Sequence, residues 1–68
     1  MMNITVNGKP YQMDEHSNLI HVLEKVEIGN RFGMAVAVNN TVVPKGEWEN
    51  RIVEENDNIV IINAISGG

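Results

Sequence analysis

The sequence predicts an α+β fold: a mixed sheet of four to five strands with one main helix across one face. Three observations carry this. Alternating apolar and polar residues around tight-turn signals occur at both ends of the chain. One stretch between them, from Leu19 onward, has a helical period instead. The most apolar run, Ile59-Val60-Ile61-Ile62, comes near the end, and its β-branched residues suit a central strand buried on both faces.

Taken in order, Met2, Ile4 and Val6 share one face of a first strand, with Asn3 and Thr5 on the other. Asn7-Gly8 follows, a pair that tolerates positive φ and so signals a hairpin. Lys9 to Met13 is the return strand. Pro10 lacks a backbone donor, so this strand should lie at an edge or pair weakly at its start. Asp14 to Asn18 reads as a turn and helix start, with Ser17 or Asn18 as the cap. Leu19, Val22, Leu23 and Val26 then fall at i, i+3, i+4 and i+7, widened by Ile20, while Glu24, Lys25 and Glu27 take the polar side. Gly29-Asn30 is the stop signal, which gives a helix about twelve residues and about 18 Å long.

Beyond a connecting loop at Arg31 to Gly33, Met34 to Val38 is a third strand. The small Ala35 and Ala37 on one of its faces would let the helix or a partner come close. Asn39-Asn40 is a second turn, and Thr41-Val42-Val43 is a short strand stopped by Pro44. Lys45 to Asn50 reads as a turn or a single helical turn, with Trp48 as a packing residue over a small core. Arg51-Ile52-Val53 is a further short extended piece, and Glu54 to Asn58 is a sharp polar turn before the last strand, Ile59 to Ala64.

A right-handed crossover through the helix would set the first and last strands side by side and parallel in the middle of the sheet. That arrangement is the β-grasp, or ubiquitin-like, fold. The expected organisation is a β-grasp domain over residues 1–65 and a flexible tail over 66–68.

Composition narrows the function. With 68 residues the chain is one domain, too small to enclose a large substrate pocket as well as a core, which argues against a self-sufficient enzyme. It has no cysteine, so disulfides, thiol nucleophiles and thiolate metal sites are excluded. His16 and His21 lie five apart, which is not a same-face helical spacing, and they are expected to be exposed or helix-start residues rather than metal ligands. Nine acids against five bases give a net charge of −4, which disfavours nucleic acid or an anionic membrane surface as partner. No apolar stretch approaches the roughly 20 residues of a membrane span, and no secretory signal is evident at the start, so the cytoplasm is the expected location.

The end, Ser66-Gly67-Gly68, offers a carboxylate on a thin arm. Gly67 and Gly68 have no Cβ, so this arm can pass a narrow channel, and Ser66 to Gly68 spans roughly 10 Å at most. An α-carboxylate is ionised at neutral pH and can attack a phosphate, yet it is itself a poor electrophile until joined to a good leaving group.

Ala35-Val36-Ala37-Val38-Asn39-Asn40-Thr41-Val42-Val43-Pro44 resembles the strand-turn-strand of the ThiS family, the sulfur carriers of thiamin biosynthesis. Glu47-Trp48, Arg51-Ile52-Val53, Asp57 to Ile62 and Ala64 to Gly68 resemble that family's following segments. The likeness is specific over residues 35–68 and one of pattern over 2–28. One departure is Asn56, where the family commonly has glycine; asparagine also tolerates the left-handed conformation, so the same turn is expected.

The resemblance implies that an E1-like (ThiF-like) adenylyltransferase, using ATP and magnesium, adenylates Gly68. A cysteine-derived sulfur donor then converts it to a thiocarboxylate, and a (ThiG-like) thiazole synthase takes the sulfur. Gly67 and Ser66 would thread the partner's active site. The chain itself would bind no cofactor and catalyse nothing. Val60, Ile62, Ala64 and Ile65 form a possible partner-docking patch near the tail, although the same alternation also fits plain strand core. Three other readings stay open: a carrier for another pathway, like the small subunit of molybdopterin synthase, a ubiquitin-like binding module with an inert tail, and, against the acidic charge, a β-grasp RNA-binding domain.

Overall fold

The computed structural model describes residues 1–26 and 33–63, with Asn63 described by its backbone alone. Its elements are β1 (Met2–Val6), β2 (Lys9–Met13), α1 (Leu19–Lys25), β3 (Met34–Val38), β4 (Thr41–Val43), a 3-10 turn (Lys45–Glu47) and β5 (Asn58–Asn63). The five strands form one sheet in the order β2-β1-β5-β3-β4. β5 lies in the middle, parallel to β1 and antiparallel to β3. The expected β-grasp arrangement is therefore present, with five strands. The expected boundary between domain and tail, at 65/66, lies outside the described residues.

Both hairpins close through two-residue turns with positive φ. Asn7 and Gly8 have φ of 52° and 83° between the paired Val6 and Lys9. Asn39 and Asn40 have φ of 50° and 71° between Val38 and Thr41. These are the values of type I′ turns, whose twist matches that of the strands they join. Pro10 lies opposite Thr5 on the edge strand, as expected. The Thr5 N–H points the other way, to the Asp57 carbonyl at 3.0 Å. Position 10 therefore needs no donor toward β1, and proline costs the ladder nothing.

The helix begins on a reciprocal cap. The Asn18 side-chain oxygen accepts the His21 N–H at 2.9 Å, and His21 Nδ1 accepts the Asn18 N–H at 3.0 Å. Histidine thus fills the place usually taken by Glu or Gln in a capping box. Ser17, the other candidate cap, is buried and donates its hydroxyl to the Asp14 carbonyl instead. α1 covers seven residues, about 10 Å at 1.5 Å per residue, rather than the twelve expected. The stop predicted at Gly29-Asn30 lies outside the described residues. The 51–53 segment runs beside the start of α1, with Leu19 N–H bonded to the Arg51 carbonyl and Val53 N–H to the Ser17 carbonyl.

The core lies between α1 and one face of the sheet. Leu19, Val22 and Leu23 pack with Ile4, Val6, Val36, Val38 and Ile59, and Trp48 and Val53 close the side. Trp48 is buried and its indole N–H donates to the Val43 carbonyl at 2.8 Å, which confirms its packing role. The turn before β5 is held by the buried Asp57. Its carboxylate accepts from Asn39 Nδ2 at 2.9 Å and from the Glu54 N–H at 2.8 Å. Asn56 has φ of 69°, so the turn keeps the left-handed residue expected there.

β5 departs from expectation in one respect. It is central but not buried on both faces: Ile59 is fully buried while Ile62 is 56% exposed. Among the described residues α1 is the one α-helix, and it covers one face of the sheet.

Two tests follow from this packing. Trp48→Phe should lower stability by about 1–3 kcal/mol, read as the urea midpoint, because the half-buried Val43 carbonyl loses its donor and the core loses part of a buried ring. Glu55 accepts from the Asn3 N–H at 3.0 Å and from Asn3 Nδ2 at 3.1 Å, and the first of these bonds, then the second, hold its carboxyl below the ordinary glutamate range. A lowered carboxyl contributes stability at pH above its unfolded value and loses it as the pH falls through the folded one. Glu55→Gln should therefore flatten the acid limb of a stability-versus-pH curve.

Candidate functional site on the open sheet face

Side chains directly opposite one another on paired strands share a face. Ala35 lies opposite Ile62, and Ala37 lies opposite both Val60 and Val42. Their neighbours Val36, Val38 and Ile59 are buried under α1. Ala35, Ala37, Val42, Val60 and Ile62 therefore form one apolar set on the face away from the helix. Val42 is 67% exposed and Ile62 is 56% exposed, while the alanines and Val60 are half-buried. The small residues on β3 thus leave room on the bare face, not for the helix.

The other half of that face differs. On β1 and β2, Asn3, Thr5 and Gln12 bond to one another's surroundings: Gln12 Nε2 donates to Asn3 Oδ1 at 3.3 Å, Asn3 Nδ2 to Glu55, and Thr5 Oγ1 to Asn58 Oδ1 at 3.0 Å. This half is polar and satisfied by its own groups. The β3-β4-β5 half is apolar and uncovered, and β5 is the strand that leads toward residue 68. An apolar patch with a polar border on a small domain is the usual form of a protein-binding surface.

Of the predicted site residues, Val60 and Ile62 lie on this face. Ala64, Ile65, Ser66, Gly67 and Gly68 lie outside the described residues. Val42 joins the patch without having been singled out; its alternation with Thr41 and Val43 was a signal, but three residues are too few to assign a face. His21 serves the helix cap, and no group of three or more His, Asp or Glu side chains placed to hold a metal occurs among the described residues. No helix among them is long and apolar enough to cross a membrane.

Fold and surface together define a ubiquitin-like β-grasp domain with one bare sheet face beside the strand that leads to its end. The chain belongs to the ThiS family, whose model matches residues 4–68. It is 30% identical over 67 residues to the sulfur carrier protein ThiS of Escherichia coli K12, covering 98% of this chain and 100% of that one. It is 25% identical to an uncharacterized protein, ycf40, of Porphyra purpurea, covering 98% of this chain and 93% of that one. A crystal structure of the thiamine biosynthesis protein ThiS from Geobacter metallireducens superposes with a TM-score of 0.81 at 28% identity, over 98% of this chain and 100% of that chain.

The bare face should tolerate substitution that the covered face does not. Ile62→Thr should change stability by within about 0.5 kcal/mol, whereas Ile59→Ala should cost about 2–5 kcal/mol. Paired denaturant titrations check both.

Proposed function

We propose that this chain is a sulfur carrier of thiamin biosynthesis, with Gly68 as the group that carries the sulfur. The observation that supports it most is the bare apolar patch on β5, the strand that leads to Gly68, in a chain of the ThiS family. The family match runs through to residue 68, and the E. coli relative named as a sulfur carrier is covered along its whole length.

In this reading a ThiF-like adenylyltransferase docks on the patch. The Gly68 carboxylate attacks the α-phosphorus of ATP, which is held with magnesium by the partner, and pyrophosphate leaves. The acyl-adenylate is now an electrophile. The outer sulfur of a persulfide on a cysteine-derived donor attacks the carbonyl carbon and AMP departs, which leaves an acyl disulfide. A second thiol then attacks the donor's sulfur, the S–S bond breaks to give a donor disulfide, and the chain keeps a thiocarboxylate in which sulfur has replaced one oxygen. A ThiG-like thiazole synthase then receives the sulfur. The chain contributes the acyl group and the docking surface; nucleotide, metal and catalytic side chains belong to its partners, in the cytoplasm. Gly67 and Ser66 pass through the partner's channel, which their small size permits.

Intact mass decides the reading. After incubation with the adenylyltransferase, ATP, magnesium and a sulfur source, the mass should rise by one oxygen-for-sulfur exchange, localised to Gly68. The chain lacking Gly68 should gain nothing while unfolding at the same temperature. An unchanged mass for the full chain would overturn the carrier reading. Sulfur delivered only to a molybdopterin synthase would overturn the assignment to thiamin.

A further inference from the structure

In a parallel ladder, a residue on one strand donates its N–H to one residue of its neighbour and accepts, through its own carbonyl, from the residue two further on. β1 follows this pattern along β5. Thr5 pairs with Asn58 and its N–H reaches the Asp57 carbonyl. One step on, the Asn7 N–H reaches the Ile59 carbonyl at 2.9 Å. The next rung should join the Asn7 carbonyl to the Ile61 N–H. At Asn7, however, the chain turns away into the hairpin with φ of 52°. The rung is made instead by the side chain: Asn7 Oδ1 accepts the Ile61 N–H at 2.8 Å. β1 stops at Val6 and β5 runs on to Asn63, so this bond extends the hold on β5 beyond the last backbone pair on that side.

We infer that Asn7 is a positioning residue for the reaction at Gly68: its side-chain oxygen substitutes for the missing strand and fixes β5 at Ile61, in the strand that precedes the reacting end. The inference rests on the sulfur-carrier reading. Ile61 is seven residues before Gly68. Its neighbours Val60 and Ile62 belong to the bare face, so the same rung also fixes the strand that carries the docking patch. A partner that grips the patch sets the point from which residues 64–68 start, and that point is fixed only if β5 keeps one direction. A small misplacement of a reacting group costs rate steeply, up to about a hundredfold for 1 Å.

The turn and the oxygen can be separated, because asparagine, aspartate and glycine are all accepted at the first position of a type I′ turn. Asn7→Gly keeps the turn and removes the acceptor; Asn7→Asp keeps both. Both are compared with the unaltered chain well below their unfolding temperatures, using ATP–pyrophosphate exchange by the partner adenylyltransferase and amide hydrogen exchange. Asn7→Gly should lower kcat by about tenfold with KM unchanged, since the patch still docks. Its Ile61 amide should lose protection at least about tenfold, while the amides of β5 that bond to β3 keep theirs. Asn7→Asp should restore both readouts. An unchanged kcat for Asn7→Gly, or an equal loss in Asn7→Asp, would overturn the inference. If the unaltered chain itself supports no pyrophosphate exchange, the carrier reading fails. The Ile61 amide then still decides whether Asn7 holds β5, and unchanged protection in Asn7→Gly overturns that as well.

Discussion

A central strand must find partners on both sides, and in this protein that requirement falls on β5. On one side it meets β3 along its length; on the other it meets β1 over a short parallel ladder. That ladder joins the first residues of the chain to its last strand, and without it the two hairpins would have no common sheet. The same two turn positions reinforce it from opposite sides. Asn7 accepts from Ile61, and Asn39 accepts from the Asn58 N–H at 2.9 Å. Each also donates its backbone N–H to β5, to Ile59 and Asn58 respectively. Two asparagines in left-handed conformation, chosen on their face for turn geometry, also fasten the strand between them.

The surface follows from the same arrangement. Among the described residues α1 covers one face of the five strands, and the other carries exposed side chains. Its two halves take different routes. Around β1 and β2 it is polar, with Asn3, Thr5 and Gln12 engaged in local hydrogen bonds. Around β3, β4 and β5 it is apolar, with alanines keeping the surface low beneath Val42, Val60 and Ile62. Val42 and Ile62 keep most of their apolar surface in water, and covering it is the gain that a docked partner would offer.

Much of this was legible in the sequence, because period, turn chemistry and crossover handedness are local or nearly so. The alternation of Met2, Ile4 and Val6, the Asn7-Gly8 turn, Pro10 at an edge and the helical stripe from Leu19 each assigned an element that the structure contains. What was not legible depends on neighbours distant in sequence. The run Ile59 to Ile62 reads as doubly buried, since apolarity does not reveal how many layers cover a sheet. His21 as a partner of Asn18 in the cap was hidden because histidine is not the usual residue there. The Asn7 side chain was read only as turn chemistry, since its second role exists only once β5 lies alongside. Of the candidate site, Val60 and Ile62 were foreseen, whereas Val42 enters through its pairing with Ala37.

The placement of β5 also bears on how this protein folds. The strand that joins the two hairpins into one sheet is made after both of them. While the chain is being synthesised, the β1-β2 hairpin and the β3-β4 hairpin can each form locally, but no sheet can join them until residues 58–63 are available. Closing the parallel ladder then brings together segments more than fifty residues apart, as with Thr5 and Asn58, and such non-local pairings set the pace of folding. The sheet thus cannot close before β5 is available, and it is the strand leading to Gly68 that closes it.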